Sequence, residues 1–209
     1  LRALRSHWEG KSSFSNNPAY LSAIVELTGS EAPLKSLLAQ VTGKHANHGQ
    51  DHSAKLQIYA SLARIGKAEH LNALYDLACD SSCPVDFRRK TLGLLIQAKK
   101  ERNLKPTSVP PQSLLNLFQE KALAKEAILL GAAWKHSEAF AHAKDGLRSA
   151  KEEELRTFSR VLASFPAEGH KVMSLYLSDK PAHRPALVVL EELALVHGAL
   201  AARLSPSVL

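Results

Sequence analysis

Apolar residues along this chain recur at three- and four-residue spacing, and no stretch alternates apolar and polar residues with period two. The spacing predicts helices throughout and no sheet. Residues 75–99, YDLACDSSCPVDFRRKTLGLLIQAK, show the pattern best. Leu71, Leu74, Tyr75 and Ala78 share one helical face, which Asp80, Ser81, Ser82 and Pro84 interrupt. A second helix follows, with Pro84 in its first turn, Asp86 at the positive end of its dipole, and Leu92, Leu95 and Ile96 on its apolar face.

Upstream, Leu1, Leu4 and Trp8 suggest a helix end before a polar break at 10–18, and Tyr20, Leu21, Ile24 and Val25 a short helix stopped by Gly29. Leu34, Leu37, Leu38 and Val41 mark its partner. Asp51 reads as the N-cap of a helix carrying Leu56, Ile58, Tyr59, Leu62 and Ile65 up to Gly66. Residues 101–112 hold three prolines and no apolar period, which predicts an irregular connection able to act as a hinge or lip. Helices are then expected at 113–120, 123–135, 137–147, 151–165 and 168–177, the fourth opened by Glu152, Glu153 and Glu154 and ended by Pro166. Residues 177–193, LSDKPAHRPALVVLEEL, restate 77–95, LACDSSCPVDFRRKTLGLL; the tail from Arg203 reads as loose.

Aligning the basic residue that opens the second helix of each pair gives Lys55, Arg89, Lys125, Arg156 and Arg184, separated by 34, 36, 31 and 28 residues. That spacing is a repeat. A single helix pair hides only part of its apolar surface, so neighbouring pairs must stack, and the expected product is an all-α solenoid of about five antiparallel pairs.

The turn residues carry a resemblance. Asp80, Pro84, Val85, Arg88 and Arg89, and again Asp179, Pro181 and Arg184, resemble the HEAT-repeat family, whose turns commonly place an Asp and a Pro before a Val-x-x-Arg-type helix start. The pairs around Lys55, Lys125 and Arg156 keep only the helical pattern and the basic residue. The resemblance implies a right-handed α-solenoid over 1–209 as a single domain. It also implies a ladder between neighbouring turns, with Asp80, Arg88, Arg89, Asp179 and Arg184 as rungs, and a concave surface lined by the second helix of each pair. The run AILLGAAWK at 127–135 is similar to the HEAT-like segments of large bacterial secreted proteins that also carry propeller and cytochrome c modules. No Cys-x-x-Cys-His is present, so haem is not carried over and no cofactor is expected. With a start at Leu1, that likeness predicts a segment of a longer chain.

Charge adds a candidate surface. The 209 residues carry +7, and residues 86–105 alone hold seven Lys or Arg against two acids. Arg88, Arg89 and Lys90 cannot share one helical face, and Arg89 is expected to bridge Asp80 or a neighbouring turn. Lys99, Lys100, Arg102 and Lys105 cluster at a helix C-terminus and form the candidate partner-binding patch. The longest apolar runs, 127–134 and 186–190, fall short of the roughly 20 residues that cross a bilayer, so no membrane insertion is expected.

Other candidates carry bland readings. His45, His48 and His52 are spaced for a metal, but no Cys or carboxylate beyond Asp51 joins them, and a polar loop is the preferred reading. Cys79 and Cys83 straddle the helix end near Arg88 and Arg89, where a lowered thiol pKa is conceivable; small, half-buried fillers are preferred. Trp134, like Trp8, is suited to stacking on a base, but its spacing from Ile128, Leu130 and Gly131 favours the core. Some HEAT-like folds are DNA glycosylases, yet no matching carboxylate and aromatic set occurs here, so no catalytic residues and no metal are assigned. The expected function is a non-enzymatic scaffold that holds a protein, or a neighbouring domain of its parent chain, on its concave face. The alternative is a basic nucleic-acid-binding solenoid of the glycosylase kind.

Overall fold

A computed structural model describes residues 52–179 and 183–204 of the chain, together with Ala23. The described residues form helices and no strand, as the periodicity predicts. In order these are α1 His52–Ile65, α2 His70–Cys79, α3 Val85–Arg102, α4 Pro111–Gln119, α5 Ala124–Ala133, α6 Ser137–Gly146, α7 Glu152–Ala163, α8 Pro166–Ser178, α9 His183–Val196 and α10 Gly198–Leu204. Their ends follow local chemistry. Two helices close on a left-handed residue that is not glycine, Asn103 (φ 54°) after α3 and Lys135 (φ 59°) after α5. At the first, Leu104 N–H reaches back to Ala98 O and Asn103 N–H to Lys99 O, which satisfies carbonyls that α3 leaves without a partner.

The chain divides into two compact units at Pro110/Pro111. In the first, α3 packs on both α1 and α2. Its core joins Ile58, Tyr59 and Leu62 of α1, Leu71, Leu74 and Tyr75 of α2, and Phe87, Leu92 and Leu95 of α3. Phe87 meets Tyr59 edge-on at 6.1 Å. Burial, with Cys83 adding to it, pushes the Tyr59 hydroxyl up to about 12.

In the second unit each helix from α4 to α10 packs on the next, and α5 on α7, α7 on α9 and α6 on α8 pack as well. An amphipathic helix with a broad apolar stripe can serve two neighbours in this way. α7 is the hub and buries Leu155, Val161 and Leu162. α8 approaches it so closely that a Cβ on Gly169 would lie 1.8 Å from Leu162 O, so only glycine fits there.

Several boundaries differ from those expected. The irregular connection is shorter, 103–110, because α3 runs through Arg102 and Pro111 opens α4. The connection is also pinned: Asn72 on α2 donates to Thr107 Oγ1 (2.7 Å) and accepts from Ser108 N–H (3.2 Å). Pro84 precedes α3 rather than sitting in its first turn, and Pro166 opens α8 as well as following α7. Arg203, expected in a loose tail, falls in the last turn of α10. Asp51 and, apart from Ala23, the helices expected before it lie outside the described residues.

Candidate interaction surface

The basic run on α3 separates into different tasks. Arg88 is 3% exposed, and its Nε donates to Ala78 O at 2.9 Å, tying the start of α3 to the carbonyl-rich end of α2. Arg102 Nη1 donates to Ala63 O (3.2 Å) in the last turn of α1. Lys99 Nζ donates to Asn103 Oδ1 at 2.6 Å, within its own helix end. Of the four residues expected to bind a partner, Lys100 and Lys105 are exposed, while Lys99 and Arg102 are half-buried and engaged in these hydrogen bonds.

The residues expected as rungs make contacts of different kinds. Asp80 closes its own turn: it accepts from Ser82 N–H (2.9 Å), the Ser82 hydroxyl (2.7 Å) and the Cys83 thiol (3.5 Å). The Ser82 hydrogen bonds hold its carboxyl below the ordinary range. Arg89, expected opposite Asp80, pairs with Asp86 one turn back on α3. Asp179, which aligns with Asp80 in the sequence, reaches across, accepting from Arg148 Nη2 at 2.6 Å, and Arg184 pairs with Glu152 at 2.9 Å.

These last contacts belong to a larger set that sequence reasoning missed. Lys125, at the start of α5, pairs with Glu153 of α7 (3.1 Å), and Arg156 of α7 pairs with Glu191 and Glu192 of α9 (3.1 Å each). Arg160 Nε also donates to both oxygens of Glu192 at 3.1 Å. Glu192 is 3% exposed, so it is a buried carboxylate gripped by two guanidinium groups, whereas the other pairs are open to water. Along α5, α7 and α9, Lys125, Arg156, Arg160 and Arg184 thus each meet a carboxylate among Glu152, Glu153, Glu191 and Glu192. The aligned spacing had located three of these cations. Their acids gave no separate signal, because Glu152 and Glu153 also suit a helix N-terminus and Glu191 and Glu192 sit in an apolar run.

The remaining candidates separate clearly. Cys79 and Cys83 are half-buried and not joined in a disulfide, and burial, then the Asp80 charge, pushes the Cys83 thiol up, which runs against an activated thiolate at Cys83. Trp134 is half-buried just beyond α5. His45 and His48, and the side chain of His52, lie outside the described residues. Among the described residues no three His, Cys, Asp or Glu side chains are grouped to hold a metal. No helix there is long and apolar enough to cross a membrane.

Two shallow grooves lie on the other set of helices. One, of about 330 Å³, runs between α4 and α6 past Leu115, Phe118, Glu138, His142 and Asp145. The second, also about 330 Å³, runs between α6 and α8, where Leu147, Val172, Leu175 and Tyr176 form an apolar floor beside Lys144 and Arg148. Leu175 is 55% exposed. A comparison of the chain with family models, curated proteins and solved structures finds no match.

Proposed function

We propose that this protein is a non-enzymatic scaffold of HEAT-like repeats, a right-handed solenoid of antiparallel helix pairs. It would hold another protein, or another domain of its parent chain, on the second helices of its pairs, which in the second unit are α5, α7 and α9. Packing of α5 on α7, α7 on α9 and α6 on α8 is what stacked helix pairs require, and so supports the repeat reading. The observation that carries the functional reading is the pairing of every Lys and Arg on α5, α7 and α9 with a carboxylate. Four cations there are matched by four carboxylates of neighbouring helices, which suits a mixed protein surface and not a phosphate-binding groove.

The competing reading, a nucleic-acid binder, draws on the +7 charge and on exposed Lys100 and Lys105. One experiment separates the two. A photo-crosslinking residue is placed at Lys125 or Glu191 in cells, and the purified chain is titrated with a fluorescent single-stranded oligonucleotide at about 50 mM salt. A discrete protein adduct with a flat titration is expected. Nucleic-acid adducts, or binding that weakens steeply with salt, would replace the scaffold by the second reading.

A further inference from the structure

Two histidines meet where α8 touches the junction of α9 and α10. The rings of His170 and His197 lie 5.1 Å apart, edge to face at 82°. His170 Nε2 is buried with no hydrogen-bond partner among the described residues. His197 Nδ1 accepts the Leu200 N–H at 3.2 Å, and its carbonyl accepts the Leu200 and Ala201 N–H groups at 3.1 Å, so this residue caps α10.

From this arrangement we infer that α10 is an acid-loosened element, capped by His197 and loosened when the histidine pair takes up protons. The logic lies in the lone pairs. As acceptor, Nδ1 of His197 must be unprotonated; a proton there sets two N–H groups against each other and weakens the cap, leaving only the His197 carbonyl to receive the Leu200 and Ala201 N–H groups. A proton on His170 fixes an N–H at buried Nε2 with nothing to receive it. Two imidazolium rings at this distance also repel each other.

Other charges offer little relief. α8 carries exposed Glu168 and Lys171, and α10 carries exposed Arg203. Arg184, Glu191 and Glu192 of α9 are taken by ion pairs with Glu152, Arg156 and Arg160 of α7. On the α6 side stand Lys144, Asp145 and Arg148, the last paired with Asp179. Burial, then His197 itself, holds His170 below its ordinary value. The folded state therefore binds fewer protons than the unfolded one just below the ordinary histidine value of about 6.5. Local stability is present above that pH and is lost as pH falls through it.

The inference is independent of the scaffold reading, and hydrogen exchange on the full chain tests it. After correction for intrinsic exchange, the α10 amides are expected to lose protection about tenfold between about pH 7.5 and about pH 5, while those of α7 hold. His197→Asn keeps a capping oxygen and His170→Phe keeps the ring edge, and neither titrates, so the double variant should hold α10 at both pH values. Unchanged α10 protection in the wild type, loss in step with α7, or the same pH response in a folded double variant would each overturn the inference.

Discussion

The two units fasten neighbouring helices in different ways. In the first, arginines of α3 reach backbone carbonyls at the ends of α2 and α1, Arg88 to Ala78 O and Arg102 to Ala63 O. In the second, cations on α5, α7 and α9 meet carboxylates on the neighbouring helix, while Lys135, which reaches Ser164 O from the end of α5, keeps the carbonyl device. A carbonyl at a helix end needs a donor at any pH, whereas a carboxylate rung exists only while it is ionised and is screened when exposed. A basic side chain between packed helices can therefore give a joint indifferent to salt and acid, or one that responds to both.

Breaking the buried rung should have the largest effect. Glu192→Ala leaves Arg156 and Arg160 facing each other with no shared carboxylate, and a loss of about 3 kcal/mol is expected in denaturant unfolding, with hydrogen exchange showing it concentrated in α7 and α9. Arg88→Ala strands the Ala78 carbonyl in a buried site and should cost about 2 kcal/mol, confined to the first unit. That loss should be the same in low and high salt, and a strong salt dependence would erase the contrast between the units.

An alkaline titration sharpens the comparison further. Tyr59 holds its proton up to about pH 12 when folded, against about 10 when unfolded, so its contribution is complete below pH 10 and falls as pH rises towards 12. At pH 11 the loss should be about 1 kcal/mol, measured as the part of the pH response that Tyr59→Phe abolishes. The smallest effect is expected at the exposed rungs. Lys125→Ala or Arg184→Ala should change stability by no more than about 0.5 kcal/mol, and that difference should vanish in about 1 M salt.

Periodicity alone locates most of the helices, since a strand would have needed an alternation the chain never shows. Leu71, Leu74, Tyr75 and Ala78 are all buried, as their shared face requires. Boundaries were harder where proline gave two messages: at Pro111 and Pro166 the residue opens a helix, and only the fold distinguishes opening from stopping. The candidate surface was legible by half. Basic residues repeat at a readable spacing, but whether one meets a carbonyl, as Arg102 does, or a carboxylate, as Lys125 does, depends on which helix lies alongside. Glu192 was invisible for the same reason, because a buried acid in an apolar run makes sense only once Arg156 and Arg160 are seen across from it.

Glu152, Glu153 and Glu154 look like one signal written three times, yet each has its own address. Glu152 goes to Arg184 on α9, Glu153 to Lys125 on α5, and Glu154 accepts the N–H of Lys151 at the head of its own helix (3.1 Å). Successive residues on a helix point about 100° apart, so this division comes from position and not from chemistry. Substituting one of the three removes one contact. Deleting one would turn the others to the wrong neighbours, so the stretch should accept changes of letter far more readily than a change of length.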